Sequence, residues 1–132
     1  MSQALGIQAL LVACGGAIGA SARFLFGAYV LHHVGPGFPL ATLLVNVIGS
    51  FAMGVLAQLA IAGLDLSTGA RLFLMTGILG GFTTFSAFSL DAIALSDRGE
   101  LSTALIYIVA SVTGAIVALV AGQTVVRMLM SG

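Results

Sequence analysis

Four long apolar stretches divide the chain, and a short polar interval separates each from the next. They run from about Leu5 to Leu31, Leu40 to Gly63, Arg71 to Leu95 and Ser102 to Val126. Each reaches the roughly 20 residues an α-helix needs to cross a bilayer. The intervals carry turn chemistry: His32-His33-Val34-Gly35-Pro36-Gly37-Phe38-Pro39, then Leu64-Asp65-Leu66-Ser67-Thr68, then Ser96-Asp97-Arg98-Gly99-Glu100. Ser67 or Thr68 is positioned to cap the helix that follows. The pattern predicts one four-helix transmembrane domain over residues 1–132, with no separate soluble domain. The first stretch lacks a basic leading segment and exceeds the apolar core of a signal peptide, so it is expected to be retained as a helix.

Composition narrows the class to an all-α integral membrane protein. The chain is 132 residues long, 60% hydrophobic and 6% charged, with a mean hydropathy of +1.22. A soluble domain of this size leaves too much area exposed to hide such a surface. The apolar runs are too long for barrel strands, and only helices or closed barrels satisfy the backbone in lipid. A single cysteine, Cys14, excludes an intrachain disulfide.

One stretch breaks the pattern. Gly80-Gly81-Phe82-Thr83-Thr84-Phe85-Ser86-Ala87-Phe88-Ser89 interrupts the third span with glycines, hydroxyls and closely spaced phenylalanines. A break near 80–84 leaves backbone groups unpaired, which a membrane tolerates only where protein or a polar cavity satisfies them. Broken helices are where membrane proteins place ion and substrate sites.

Other polar residues inside the spans carry two readings each. Asn46, near the middle of the second span, is either interhelical glue or a donor to a permeating anion. Phe85 and Phe88 share a helical face. Such a pair ordinarily packs a core, but the positive ring edges can also hold a small anion weakly, as conduction requires. Tyr107, Ser111 and Ala115 form a line at four-residue spacing; its hydroxyls either contact an anion or bond back to the helix. Arg23 either attracts anions at a pore mouth or snorkels to the headgroups. Asp91 is expected to pair with a basic group or cap the broken helix. His32 and His33 are expected to be solvated in a loop. A cation pore would want acidic rings, which are missing, and no nucleophile–base pair or phosphate loop suggests an enzyme.

Small residues recur at four-residue spacing: Gly15 and Gly19, Gly16 and Ala20, Gly77 and Gly81, and Gly114, Ala118 and Gly122. Most are expected to pack helices within one subunit. Four helices do not readily enclose a pore, so a channel of this length requires at least a dimer. Arg71 and Arg127 fall on one side of the membrane; Arg98, and Arg23 if the first helix is long, fall on the other. The positive-inside rule has little to act on, so insertion in both orientations and antiparallel pairing are expected.

At these residues the chain resembles the Fluc/CrcB family of fluoride channels. Gly15-Gly16-Ala17-Ile18-Gly19-Ala20-Ser21-Ala22-Arg23 is similar to the family's first-helix motif, and Thr42-Leu43-Leu44-Val45-Asn46 to its second-helix motif. The Gly80–Ser89 stretch is similar to its third-helix motif. The resemblance implies an antiparallel, dual-topology homodimer in the bacterial inner membrane, with two fluoride pathways among membrane lipid. Passive export of cytoplasmic fluoride would reduce its toxicity. No nucleic acid or other protein is expected as a partner. The resemblance places Phe85, Phe88, Asn46, Thr42, Ser86, Tyr107 and Ser111 along the fluoride pathway and Arg23 near an aqueous vestibule. It also implies a structural Na⁺ at the dimer centre, held by backbone carbonyls of Gly80 and Thr83. The chain departs from the family pattern at Ala41, Ala87 and Ala115. A small multidrug-type transporter would require a carboxylate in the first span, which is lacking. A structural membrane subunit would predict no ion flux.

Overall fold

The computed structural model describes residues 2–132, and four of its helices are long and apolar enough to cross a membrane. The first span is α1 (Ser2–Val34) and the second α2 (Leu40–Ile61). The third, Thr68–Asp97, is built from α3 (Thr68–Arg71), a π-helical stretch (Leu72–Leu79), a single turn α4 (Gly80–Phe82) and α5 (Phe85–Asp97). The fourth is α6 (Leu101–Met130).

Helix ends follow local chemistry and not only the limits of the apolar runs. α1 continues past Leu31, so His32 and His33 occupy its last turn and not a loop. It stops at Gly35, which takes a left-handed φ of 87° and donates its N–H to the Leu31 carbonyl at 3.0 Å. At the third span, Ser67 is the N-cap, accepting from the Ala70 N–H at 3.1 Å.

Two close helix pairs make the subunit. α1 lies against the first half of the third span, where a Cβ on Gly81 would stand 2.6 Å from the Gly16 carbonyl oxygen and one on Gly19 would fall onto the Ile78 carbonyl. α2 lies along α6, with Gly54 against the Leu119 carbonyl and Gly122 against the Phe51 carbonyl. Close approach of this kind is how small residues hold helices together in lipid, where no hydrophobic effect draws them in. These stripes therefore pack the subunit itself.

The second half of the third span seats on α6. Phe88, Ala92 and Leu95 meet Ala104 and Tyr107 in the buried core, with Phe38 and Leu43 packed against it. Much of the remaining apolar surface, including Phe24, Leu25, Ile106 and Ile116, faces outward, as a lipid-facing protein requires. Polar ties close both ends. Arg127 Nε donates to the buried Gln58 Oε1 at 3.1 Å, while Arg98 Nη2 donates to the Gly37 carbonyl at 3.1 Å.

Candidate functional site

The break lies at the threonine pair. Gly80 keeps helical angles (φ −64°, ψ −37°), whereas Thr83 has ψ 159° and Thr84 has φ −155° and ψ 116°. Gly81 is needed small by its contact with α1. Threonine is a weak helix former whose hydroxyl offers the backbone a local alternative. Thr84 uses that alternative, capping α5 by accepting the Ala87 N–H at 3.1 Å. The Thr83 hydroxyl and N–H both donate to the Leu79 carbonyl at 2.9 Å.

Asn46 splints the gap from the neighbouring span. Its Oδ1 accepts the Thr84 N–H at 2.7 Å and its Nδ2 donates to the Thr84 carbonyl at 3.0 Å. An amide side chain thus stands in for the peptide partner that the break removes. Nδ2 carries two protons, so one remains available. Arg23 acts on the other side of the break, donating from Nε to the Gly81 carbonyl at 3.1 Å. Among the described residues, no donor reaches the carbonyls of Gly80 and Thr83.

Beside the splint lies an inner cavity of about 320 Å³, lined by Asn46, Ser50, Thr83, Thr84, Phe85, Phe88, Ser111, Val112, Ala115 and Ile116. Among the described residues no charged side chain lines it. Ser111 is 4% exposed, and its Oγ has no hydrogen-bond partner among the described residues. It therefore does not bond back to its own helix. The Phe85 and Phe88 rings sit 5.3 Å apart, centroid to centroid, but differ in setting. Phe88 is 9% exposed and belongs to the core; Phe85 is 77% exposed.

An outer cavity of about 300 Å³ opens beneath the α1–α2 and α5–α6 connections. Thr42, Asp91 and Arg98 are its polar lining. Tyr107 separates the two cavities. It is fully buried, with its ring between Phe38 of the outer cavity at 5.6 Å and Phe88 of the inner at 5.4 Å. Its hydroxyl donates to Asp91 Oδ2 at 3.2 Å. Among the described residues Asp91 thus pairs with no basic group, and it does not cap the broken helix.

The structure brings Asn46, Phe85, Phe88 and Ser111 around one cavity, along with Thr83. Thr42 belongs to the outer cavity, and Tyr107 stands between. Arg23 lines neither cavity, because its guanidinium is drawn to the Gly81 carbonyl. Ser86 also lines neither; it is exposed, with its Oγ 3.3 Å from Thr84 Oγ1. Of the lining residues that motif reading missed, Ser50 is the polar one, although Thr42, Asn46 and Ser50 form a four-residue stripe that periodicity could have revealed.

This arrangement offers neutral donors and aromatic rings to a small anion, without the full charge that would hold it too tightly to conduct. Among the described residues no three His, Cys, Asp or Glu side chains gather to hold a metal. Carbonyl oxygens are the ligands available near the break.

Residues 10–123 match the family described as CrcB-like protein, Camphor Resistance (CrcB). The chain is 53% identical over 124 residues to a fluoride-specific ion channel FluC of Rhizobium etli, covering 94% of this chain and 99% of that protein. A fluoride-specific ion channel FluC of Agrobacterium fabrum is 50% identical over 121 residues, covering 92% and 97%. One of Cereibacter sphaeroides is 51% identical over 119 residues, covering 89% and 93%.

Proposed function

The chain belongs to the CrcB-like family, and on that footing we propose that it is a passive, fluoride-selective channel of the bacterial plasma membrane. The observation that carries this reading is the uncharged inner cavity beside the broken helix. It presents a free amide proton of Asn46, the unpartnered Ser111 hydroxyl and the Phe85 and Phe88 rings to one space. Neutral HF crosses a bilayer and releases fluoride inside, where the anion is trapped. A negative-inside potential then drives it outward, contributing about 2.3 kcal/mol per charge per 100 mV. Transport of this kind is not catalysis and needs no nucleotide. Proton-coupled drug export is disfavoured, since Asp91, the carboxylate midway along α5, is engaged by Tyr107.

The working unit is an antiparallel homodimer with two pathways. Supporting this are the exposure of Phe85 beside the cavity and the scarcity of orienting charge. Arg71 and Arg98 each donate to a backbone carbonyl near opposite ends of the fold, Leu66 and Gly37. A structural Na⁺ at the centre of that dimer fits the two carbonyls that no donor reaches. Gly80 is on the exposed face, so a twofold axis there would gather Gly80 and Thr83 from both chains. Hard oxygen ligands suit a hard cation. Bound there, the ion would neutralise carbonyl dipoles left by the break; the residues of this chain hold the break open.

Fluoride efflux from liposomes, read with a fluoride electrode, tests the proposal. Rapid fluoride release with little chloride loss is the expected result. A folded, reconstituted protein that releases neither anion would overturn it.

A further inference from the structure

Hydroxyls within apolar helices ordinarily settle on the carbonyl four residues earlier. Ser21, Thr76 and Thr113, which line neither cavity, make no such bond among the described residues, but Thr83, Ser89 and Thr124 do, donating to Leu79, Phe85 and Val120 at 2.9, 2.9 and 2.8 Å. Ser50 does not: among the described residues its hydroxyl has no side-chain hydrogen bond, yet it lines the inner cavity. Ser111, buried and without a partner, lines the same cavity from the opposite span. Two hydroxyls without a side-chain bond, from different helices, therefore meet at one cavity.

The register of the helices sets the level of Ser50. Gly114 stands against Val47 and Gly54 against Leu119, so α2 and α6 run side by side in the same direction. Ser50 falls between these two contacts, at the level of Ala115. On α6 the line of Tyr107 and Ser111 ends there in a methyl group, and the hydroxyl at that depth comes from α2 instead.

We propose that Ser50 Oγ–H is a further anion-coordinating donor in the inner cavity, acting with Asn46 and Ser111 and supplying the hydroxyl that Ala115 does not. This rests on the channel reading above and names a residue within its pathway. An anion passing from the level of Asn46 toward Ala115 then keeps a donor at each turn of α2.

The test uses two variants of nearly equal shape, Ser50→Thr and Ser50→Val, reconstituted beside wild type after size-exclusion chromatography. Flux is read as fluoride efflux from liposomes. Ser50→Thr retains most of the flux. Ser50→Val lowers it about tenfold or more, the loss expected for one hydrogen bond to a charged group. Adding Ala115→Ser to Ser50→Ala restores part of the rate. If wild type conducts and the Thr and Val variants conduct equally, the assignment of Ser50 is wrong while the channel reading stands. If wild type releases no fluoride, both fall together. Should the branched variants fail to reconstitute, Ser50→Ala against wild type decides by the same criterion.

Discussion

Asn46 is the residue whose removal tests most directly what holds the break. Asn46→Leu keeps the number and branching of the side-chain heavy atoms and deletes both bonds to Thr84, at 2.7 and 3.0 Å. Thr84 loses the Asn46 donor to its carbonyl. Its partly buried N–H is left with no protein partner. Orphaning a buried donor costs about 1–3 kcal/mol, and the second lost bond adds roughly 0.6 kcal/mol, the average for side-chain hydrogen bonds in membranes. The expected destabilisation is therefore about 2–4 kcal/mol, read by far-UV circular dichroism during unfolding in mixed micelles. Amide exchange at Thr84 should quicken in parallel. Asn46→Asp forms the second arm: its carboxylate can still accept the Thr84 N–H, so more of the stability survives. Fluoride flux nevertheless falls, because the amide donor is gone and a negative charge borders the cavity. The reasoning fails if Asn46→Leu is as stable as wild type with Thr84 exchange unchanged. Asn46 would then be an anion ligand only, and something else would have to hold the break.

Four further outcomes follow from the same geometry. Phe85→Ile and Phe88→Ile should both lose most fluoride efflux, but unfolding should tell them apart. The exposed Phe85 costs under about 0.5 kcal/mol, while Phe88, stacked on Tyr107 in the core, costs about 1–3 kcal/mol. Gly19→Ala should reduce the yield of folded protein in size-exclusion profiles, since its methyl would meet the rigid Ile78 carbonyl. Gly80→Ala meets nothing closer than the Met75 carbonyl at 3.7 Å, so the chain should fold. Loss of dimer on crosslinking in that variant would report a partner packed on this face. Exchanging Na⁺ for N-methylglucamine through purification should abolish efflux, and restoring Na⁺ should return it. Unchanged flux would remove the sodium proposal.

The four spans were legible because hydropathy is a one-dimensional signal that a bilayer enforces. Their ends were less so. α1 runs into His32 and His33 because nothing ends an α-helix there until Gly35 supplies a left-handed angle. The break was visible as a cluster, but which residues leave the helix depends on a neighbour. Gly81 is held helical and small by α1, so the irregular angles pass to Thr83 and Thr84. The partners Asp91 and Tyr107 are distant in sequence and were not paired by reading, and Ser50 lay on a stripe whose depth only packing against α6 reveals.

That difference bears on what mutagenesis of this site can mean. Asn46, Arg23 and Thr84 each satisfy backbone opened by the break, and two of them also stand where an anion pathway was expected. Asn46 and Thr84 also line the inner cavity, so removing either disturbs the support and the pathway together, and a lost current does not by itself identify a ligand. Ser50 and Ser111 make no side-chain bond to the fold among the described residues, so their hydroxyls can be deleted without orphaning a partner. A flux change at these two serines, with stability held constant, reads contact with the ion more directly than any change at the conspicuous motif residues.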